Sequence, residues 1–337
     1  MDATERIESK VPVTILTGFL GAGKTTLLRN ILTERHDERI AVIENEFGET
    51  SVDAELLFED RQEQVIELNN GCICCKVRGD LVRMLSDLHD RRAADKLHFN
   101  RVIIETTGLA DPAPVAQTFF VEEDVSRHYI LDAIVTIVDA VHADAQLDAH
   151  HEAVEQVAFA DRVLVSKADL VAPQSVDALK ARIRQINARA PIALVNLGRT
   201  NVQGLLDIAG FSLKSVLEVE PDFLSDVAHE HDDDIGSFVF TSRQPFDPAR
   251  ITNFLQEMIQ THGADLMRYK GVLSYAGFER KVVLQGVHMV MHSDVGQPWS
   301  GEERVSNIVF IGRRLREPDI RRALEACLIQ ASVPATV

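Results

Sequence analysis

At 337 residues the chain is too long for one ordinary hydrophobic core, so two domains are expected; 45% hydrophobic and 26% charged residues is the composition of a soluble globular protein. A net charge of −17 argues against a nucleic-acid ligand, whose binding rests on lysine and arginine neutralising phosphates. No run reaches the ~18 apolar residues of a membrane span. The first residues also lack the apolar core of a signal peptide, and the cysteine content does not suggest a disulfide framework, so a cytoplasmic protein that meets neither membrane nor nucleic acid is expected.

The first predicted strand, Val13–Leu16, runs into Gly18-Phe-Leu-Gly-Ala-Gly-Lys-Thr25, and an amphipathic helix pattern (Leu27, Leu28, Ile31, Leu32) follows. Strand, glycine-rich loop and helix in that order make a phosphate cradle. The glycines let backbone N–H groups turn inward, and the helix N-terminus adds partial positive charge. Gly18, Gly21, Ala22, Gly23, Lys24, Thr25 and Thr26 are the predicted phosphate contacts. Lys24 reaches the β- and γ-phosphates of a nucleoside triphosphate in this reading, and the Thr25 hydroxyl meets Mg²⁺.

Further strands are predicted at Ile40–Ile43, Val65–Leu68, Val102–Ile104, Ala133–Val138, Val163–Val165 and Ile192–Val195, with helical patterns between most of them. Apolar strands separated by helices predict an α/β domain over 1–209. Its sheet is mostly parallel, of the P-loop NTPase type, with helices on both faces. Ligands of such sheets sit at the carboxyl ends of the strands.

Each motif follows a strand. After the second comes Glu44-Asn-Glu-Phe-Gly-Glu49, whose carboxylates suit a loop beside the phosphates or a second metal, or else form a solvated acidic loop. After the third comes Asn69-Asn-Gly-Cys-Ile-Cys-Cys75. Thiolates at Cys72, Cys74 and Cys75 bring soft donors to one ion such as Zn²⁺, with Co²⁺ and Ni²⁺ accepted by similar sets. Cys72 and Cys75 also have the spacing of a redox dithiol. Three thiolates leave the metal shell to be completed by a carboxylate, a histidine, water or a second subunit, so a homodimer is one arrangement.

The fourth strand ends in Glu105-Thr-Thr-Gly108. An acid closing an apolar strand with glycine three residues on predicts Glu105 holding Mg²⁺ through water and the Gly108 N–H facing the γ-phosphate. Leu109 stands where Ras-like proteins carry a water-orienting glutamine, so slow unaided hydrolysis is expected. After the sixth strand, Ser166-Lys-Ala-Asp169 predicts Asp169 accepting from guanine while the Lys167 stem covers the base, which selects GTP over ATP. Ser166 stands where the usual guanine motif has asparagine.

Residues 210–235 read as an acidic linker containing His229-Glu-His-Asp-Asp-Asp234, a weak metal tract or solvated surface. Residues 236–337 then give a strand at Ser237–Thr241, a helix near Ile251–Ile259, strands near Val272–Tyr275, Lys281–Val290 and Asn307–Ile311, and a last helix after Pro318. That order predicts a smaller α+β domain with an antiparallel sheet. Arg268-Tyr-Lys-Gly271 opens its strand-rich part, as a packing corner or a domain contact.

Together, GFLGAGKTTLL at Gly18–Leu28, ENEFGE at Glu44–Glu49, GCICC at Gly71–Cys75, ETTGLADP at Glu105–Pro112, the Ser166–Asp169 element and RYKG at Arg268–Gly271 resemble the CobW-type metal-binding GTPases, with YjiA-like members nearest. These are relatives of the UreG- and HypB-type nickel-insertion GTPases. The resemblance implies a metallochaperone or metal insertase that hydrolyses GTP and serves a client metalloprotein, with Lys24, Thr25 and Glu105 at the catalytic centre. It also implies metal ligands at Cys72, Cys74 and Cys75, with Glu44 and Glu49 as carboxylate neighbours. The linker lacks the long histidine tract of many members, which speaks against high-capacity metal storage.

Overall fold

Seven apolar runs pair into one sheet: β1 (Val11–Gly18), β2 (Ile40–Glu44), β3 (Val65–Glu67), β4 (Arg101–Glu105), β5 (Tyr129–Asp139), β6 (Arg162–Ser166) and β7 (Ile192–Val195). Their order is β3-β2-β4-β1-β5-β6-β7, with every pairing parallel. The computed structural model describes residues 10–33, 39–44, 65–67, 77–196, 206, 208, 235–299, 301 and 303–329. Its contacts divide the chain into Met1–Ser212 and Leu213–Val337. The predictions for Glu49, Cys72, Cys74, Cys75, His229, His231 and 210–234 lie outside the described residues.

In the first unit the strands carry continuous apolar runs because helices cover both faces of the sheet. The helices are α1 (Lys24–Thr33), α2 (Val77–Ala93), α3 (Ala113–Val121), α4 (Glu123–His128), α5 (Ala143–Ala149), α6 (His151–Phe159) and α7 (Pro173–Ile186). Leu27, Leu28, Ile31 and Leu32 of α1 join one core cluster with Leu16, Val42, Ile103, Val135 and Ile137 of the sheet. The central strand β1 lies between β4 and β5, so the chain leaves it to one side and later returns to the other. That reversal opens a crevice at the carboxyl end of β1.

The second unit holds a five-stranded antiparallel sheet, β11-β10-β9-β12-β8. Its elements are β8 (Ile235–Ser242), α8 (Pro248–His262), β9 (Leu266–Leu273), β10 (Arg280–Val287), β11 (Val290–Pro298), β12 (Ser306–Arg313) and α9 (Glu317–Ala326). Ile251, Leu255 and Met258 of α8 and Ile320 and Leu324 of α9 share a core with Phe238, Phe240, Leu284 and Phe310. Asp247 caps α8 by accepting from the N–H groups of Ala249 and Arg250, both at 3.0 Å, and Pro248 opens the first turn.

One predicted strand is corrected. Lys281–Val290 is not continuous but turns back at His288 and Met289, so that Val287 pairs with Val290. His288 takes the turn with φ +51, a left-handed conformation uncommon outside glycine and asparagine. The strand expected at Val272–Tyr275 begins earlier, at Leu266, and takes in Arg268–Gly271 as part of the central strand β9. The packing reading of that motif has a clear physical basis. A Cβ on Gly286 would lie 1.9 Å from the Tyr269 ring, and one on Gly271 would lie 2.3 Å from the Asn307 carbonyl oxygen.

Candidate functional site

All seven parallel strands end at one edge of the first sheet, where five of them close on Gly18 (β1), Glu44 (β2), Glu105 (β4), Asp139 (β5) and Ser166 (β6). The glycine loop between β1 and α1 is wound as a cradle. Gly18, Gly21 and Gly23 have φ of +146, +74 and +105, conformations a side chain disfavours, and a Cβ on Gly18 would lie 2.4 Å from the Ile137 carbonyl oxygen. From the first position of α1, Lys24 reaches back over the loop, donating to the carbonyl oxygens of Gly18 (2.8 Å) and Phe19 (3.3 Å). Ala22 and Thr26 flank it on the loop and on the helix, within the predicted phosphate-contact run.

The Thr25 hydroxyl donates to Glu105 Oε1 at 3.0 Å, across 80 residues of chain. Glu105 is the register partner of Leu16 on one side and of Glu44 on the other, and Glu44 in turn pairs with Glu67. Parallel register partners lie on the same face of a sheet, so Glu44 and Glu105 share the face covered by α1. Two oxygen donors at the end of a phosphate cradle suit a hard divalent cation such as Mg²⁺.

Beyond Glu105 the chain folds tightly against the cradle. Thr106 donates its hydroxyl to the Thr17 hydroxyl at 2.8 Å and its N–H to the Leu16 carbonyl at 3.0 Å. Gly108 packs against the glycine loop itself: a Cβ there would lie 2.7 Å from the Leu20 backbone nitrogen. Leu109 is 53% exposed, as is Leu20 of the glycine loop to a similar degree. The loop is held from behind by Gln156 of α6, whose Nε2 donates to the carbonyl oxygens of Gly108 and Ala110, each at 3.1 Å.

The predicted base-reading element sits on the other side of the cradle. Ser166 donates to the Ala22 carbonyl at 2.7 Å, so the shorter serine still ties this element to the glycine loop directly. Lys167 is held at φ +56, and its ammonium donates to the Gly21 carbonyl (2.9 Å) and to Asp139 Oδ2 (2.7 Å). Asp139 also accepts from the Val141 N–H at 2.9 Å and meets His142 Nδ1 at 2.8 Å. Burial by itself would raise the Asp139 pKa. The hydrogen bonds from Lys167, His142 and Val141 outweigh that and hold it below the ordinary carboxylate value. Asp169 is exposed on the short turn that follows Lys167.

The structure thus brings together Gly18, Gly21, Ala22, Gly23, Lys24, Thr25, Glu105, Gly108, Ser166 and Lys167. Among the described residues no group of three or more His, Cys, Asp or Glu side chains is set to hold a metal ion. Of the histidines after β5, His142 meets Asp139, His151 meets Glu155 at 2.9 Å, and the His150 ring lies against Phe19 at 4.6 Å. Two participants were missed in the sequence. Asp139 gave a readable signal, since it closes an apolar strand as Glu105 does. Gln156 gave none, being one polar residue in a helix of mixed composition.

Two family patterns match the chain: the CobW/HypB/UreG nucleotide-binding domain over residues 12–194, and the cobalamin synthesis protein cobW C-terminal domain over residues 235–328. The zinc chaperone YjiA of Escherichia coli (strain K12) is 42% identical over 314 residues, covering 93% of this chain and 97% of its own length. Zinc-regulated GTPase metalloprotein activator 1 of Saccharomyces cerevisiae is 30% identical over 373 residues, covering 97% and 86%. The crystal structure of the Zn(II)-bound YjiA GTPase from E. coli superposes with a TM-score of 0.75, covering 95% of this chain and 99% of that one, at 36% identity in the superposition.

Proposed function

Because the chain belongs to the CobW/HypB/UreG family, we propose that it is a GTPase metallochaperone. It binds Mg²⁺ and GTP in the cradle, hydrolyses GTP slowly, and carries Zn²⁺ on Cys72, Cys74 and Cys75 to a client metalloprotein. Relatives named as a zinc chaperone and as a zinc-regulated GTPase support both halves of this reading.

One observation carries the link between the halves. Glu105, bonded to Thr25 in the cradle, is the register partner of Glu44. Glu44 opens the acidic segment that runs to Glu49, and the next strand, β3, leads to the thiols. A shift at the phosphate end therefore reaches the neighbouring strand end through one backbone ladder.

In this reading Lys24 and the Gly108 N–H meet the β- and γ-phosphate oxygens, Asp169 accepts from the guanine edge, and the Lys167 stem covers the base. Thr25 would hold Mg²⁺ through its hydroxyl and Glu105 through water, and the ion would supply positive charge to offset the negative charge developing on the phosphates. Hydrolysis is slow because Leu109 cannot orient water, and the amide of Gln156 already donates to carbonyls. Glu44 and Glu49 stand as carboxylate neighbours of a zinc shell that three thiolates leave incomplete. Among the described residues no helix is long and apolar enough to cross a membrane.

Coupling between the sites must be reciprocal, and about 1–3 kcal/mol is typical. Zinc titrated with and without a non-hydrolysable GTP analogue should give different affinities; equal affinities would remove the coupling. Elemental analysis of anaerobically purified protein beside its Cys74→Ala variant tests the thiol assignment, with equal zinc in both as the contrary result. A reversible Cys72–Cys75 disulfide and no bound metal would favour a redox switch instead.

A further inference from the structure

We propose that Gln156 is a positioning residue for recognition of the γ-phosphate: its amide sets the orientation of the Gly108 loop. The inference rests on the nucleotide site proposed above and adds a part to it. Gln156 is 1% exposed, and both of its donor contacts go to one loop, to the carbonyl oxygens of Gly108 and Ala110 at 3.1 Å each. A carboxamide is the group this position calls for. One nitrogen carries two diverging N–H bonds, which meet two carbonyls two residues apart. A carboxylate of the same shape would turn lone pairs on both carbonyls, and a thioether would leave both without this donor.

The helix that carries Gln156 is itself anchored. Thr136 of β5 donates its hydroxyl to the Gln156 backbone carbonyl at 2.6 Å. At the amino end of α6, His150 lies against Phe19 of the glycine loop, with ring centroids 4.6 Å apart. One short helix therefore touches both loops that flank the γ-phosphate position. The Gly108 N–H shares its peptide plane with the Thr107 carbonyl, which accepts from the Ala110 N–H at 3.1 Å. Gln156 fixes the Gly108–Leu109 and Ala110–Asp111 peptides that flank this donor, and with Gly108 pressed on Leu20 the turn loses the rotations that would swing the Gly108 N–H away. GDP has no γ-phosphate and makes no demand on that N–H. The contribution of Gln156 should therefore appear in the difference between the two nucleotides.

The test compares wild type with Gln156→Met, which keeps volume and removes the donors, and with Gln156→Glu. Affinities for GDP and for a non-hydrolysable GTP analogue are measured by titration, with thermal unfolding alongside. The expected result is a loss of about tenfold in analogue affinity in each variant, on the scale of one to two ordinary hydrogen bonds, with GDP affinity changed less than about twofold. Equal losses for both nucleotides, or no loss for either, would overturn the proposal and leave Gln156 a packing residue.

If neither variant folds, hydrogen exchange on the wild type decides. The analogue, unlike GDP, should slow exchange together in 105–112 and 151–159, and an unchanged 151–159 segment would overturn the proposal. A failure of the nucleotide site itself looks different, since wild type would then bind neither GDP nor the analogue.

Discussion

The Lys167 ammonium stands 2.7 Å from Asp139 Oδ2 and 2.9 Å from the Gly21 carbonyl oxygen, so a buried acid at the end of β5 fixes the lysine that braces the glycine loop. Replacing Asp139 by Asn keeps the shape and removes the charge. Guanine-nucleotide affinity should fall roughly five- to tenfold, on the scale of one charge-assisted hydrogen bond. The pH dependence of stability has a definite sign. The folded-state pKa of Asp139 is depressed, so its stabilisation is present above the unfolded value of about 3.9 and is lost as pH falls through the folded value. The melting difference between wild type and Asp139→Asn should therefore persist at neutral pH and close only in acid. A difference that closes by pH 6 would mean the carboxylate is not held as described.

Gly108 has no room for a methyl group. Its Cβ would lie 2.7 Å from the Leu20 nitrogen and 2.9 Å from the Leu20 Cα, and backbone atoms cannot swing aside as a side chain can. Gly108→Ala should cost about 1–3 kcal/mol in urea unfolding and depress GTP turnover further than that loss explains. Adding Leu20→Ala should not rescue it, because the obstructing nitrogen and Cα remain. Rescue by that second change would place the conflict with the Leu20 side chain instead.

What could be read from the sequence divides along physical lines. The strands of the first sheet were visible as unbroken apolar runs, which burial on both faces forces in β1, β2, β4, β5 and β6, and the glycine loop was visible because its spacing is tied to phosphate geometry. Glu105 and Ser166 were visible as polar residues closing such runs. Gln156 was not, since its partners lie 46 and 48 residues away and nothing local distinguishes it from a surface glutamine. The hairpin at His288 was hidden for a different reason. The turn has neither Asn-Gly nor Asp-Gly, the residues that usually announce one, and an apolar residue follows at Met289.

Tyr269 and Gly286 form a matched pair across β9 and β10, for they are register partners and the ring occupies the space a side chain on Gly286 would need. Tyr269 is 1% exposed within the core of the second unit, so the ring has little freedom to yield. Gly286→Ala should destabilise the protein by about 1–3 kcal/mol. Tyr269→Leu should cost stability alone, yet combining the two should cost less than the sum, because the smaller side chain frees the volume the methyl needs. Strict additivity in that double-mutant cycle would show that the two residues do not compete for one space.

Cys327 stands apart from the three clustered cysteines and supplies an internal reference for them. It follows α9 within the core of the second unit, and its thiol donates to the Ala323 carbonyl at 3.2 Å. Burial pushes its pKa up, against the opposing pull of nearby Arg250, so little thiolate forms near neutral pH. Alkylation of native, zinc-loaded protein under anaerobic conditions should leave Cys327 unlabelled until denaturant is added. A chelator alone should expose Cys72, Cys74 and Cys75 to the reagent while Cys327 stays silent. Mass spectrometry of the peptides distinguishes the two events: labelling of Cys327 by chelator alone would mean that metal loss unfolds the second unit, and labelling of the clustered thiols before chelation would leave zinc without its sulfur ligands.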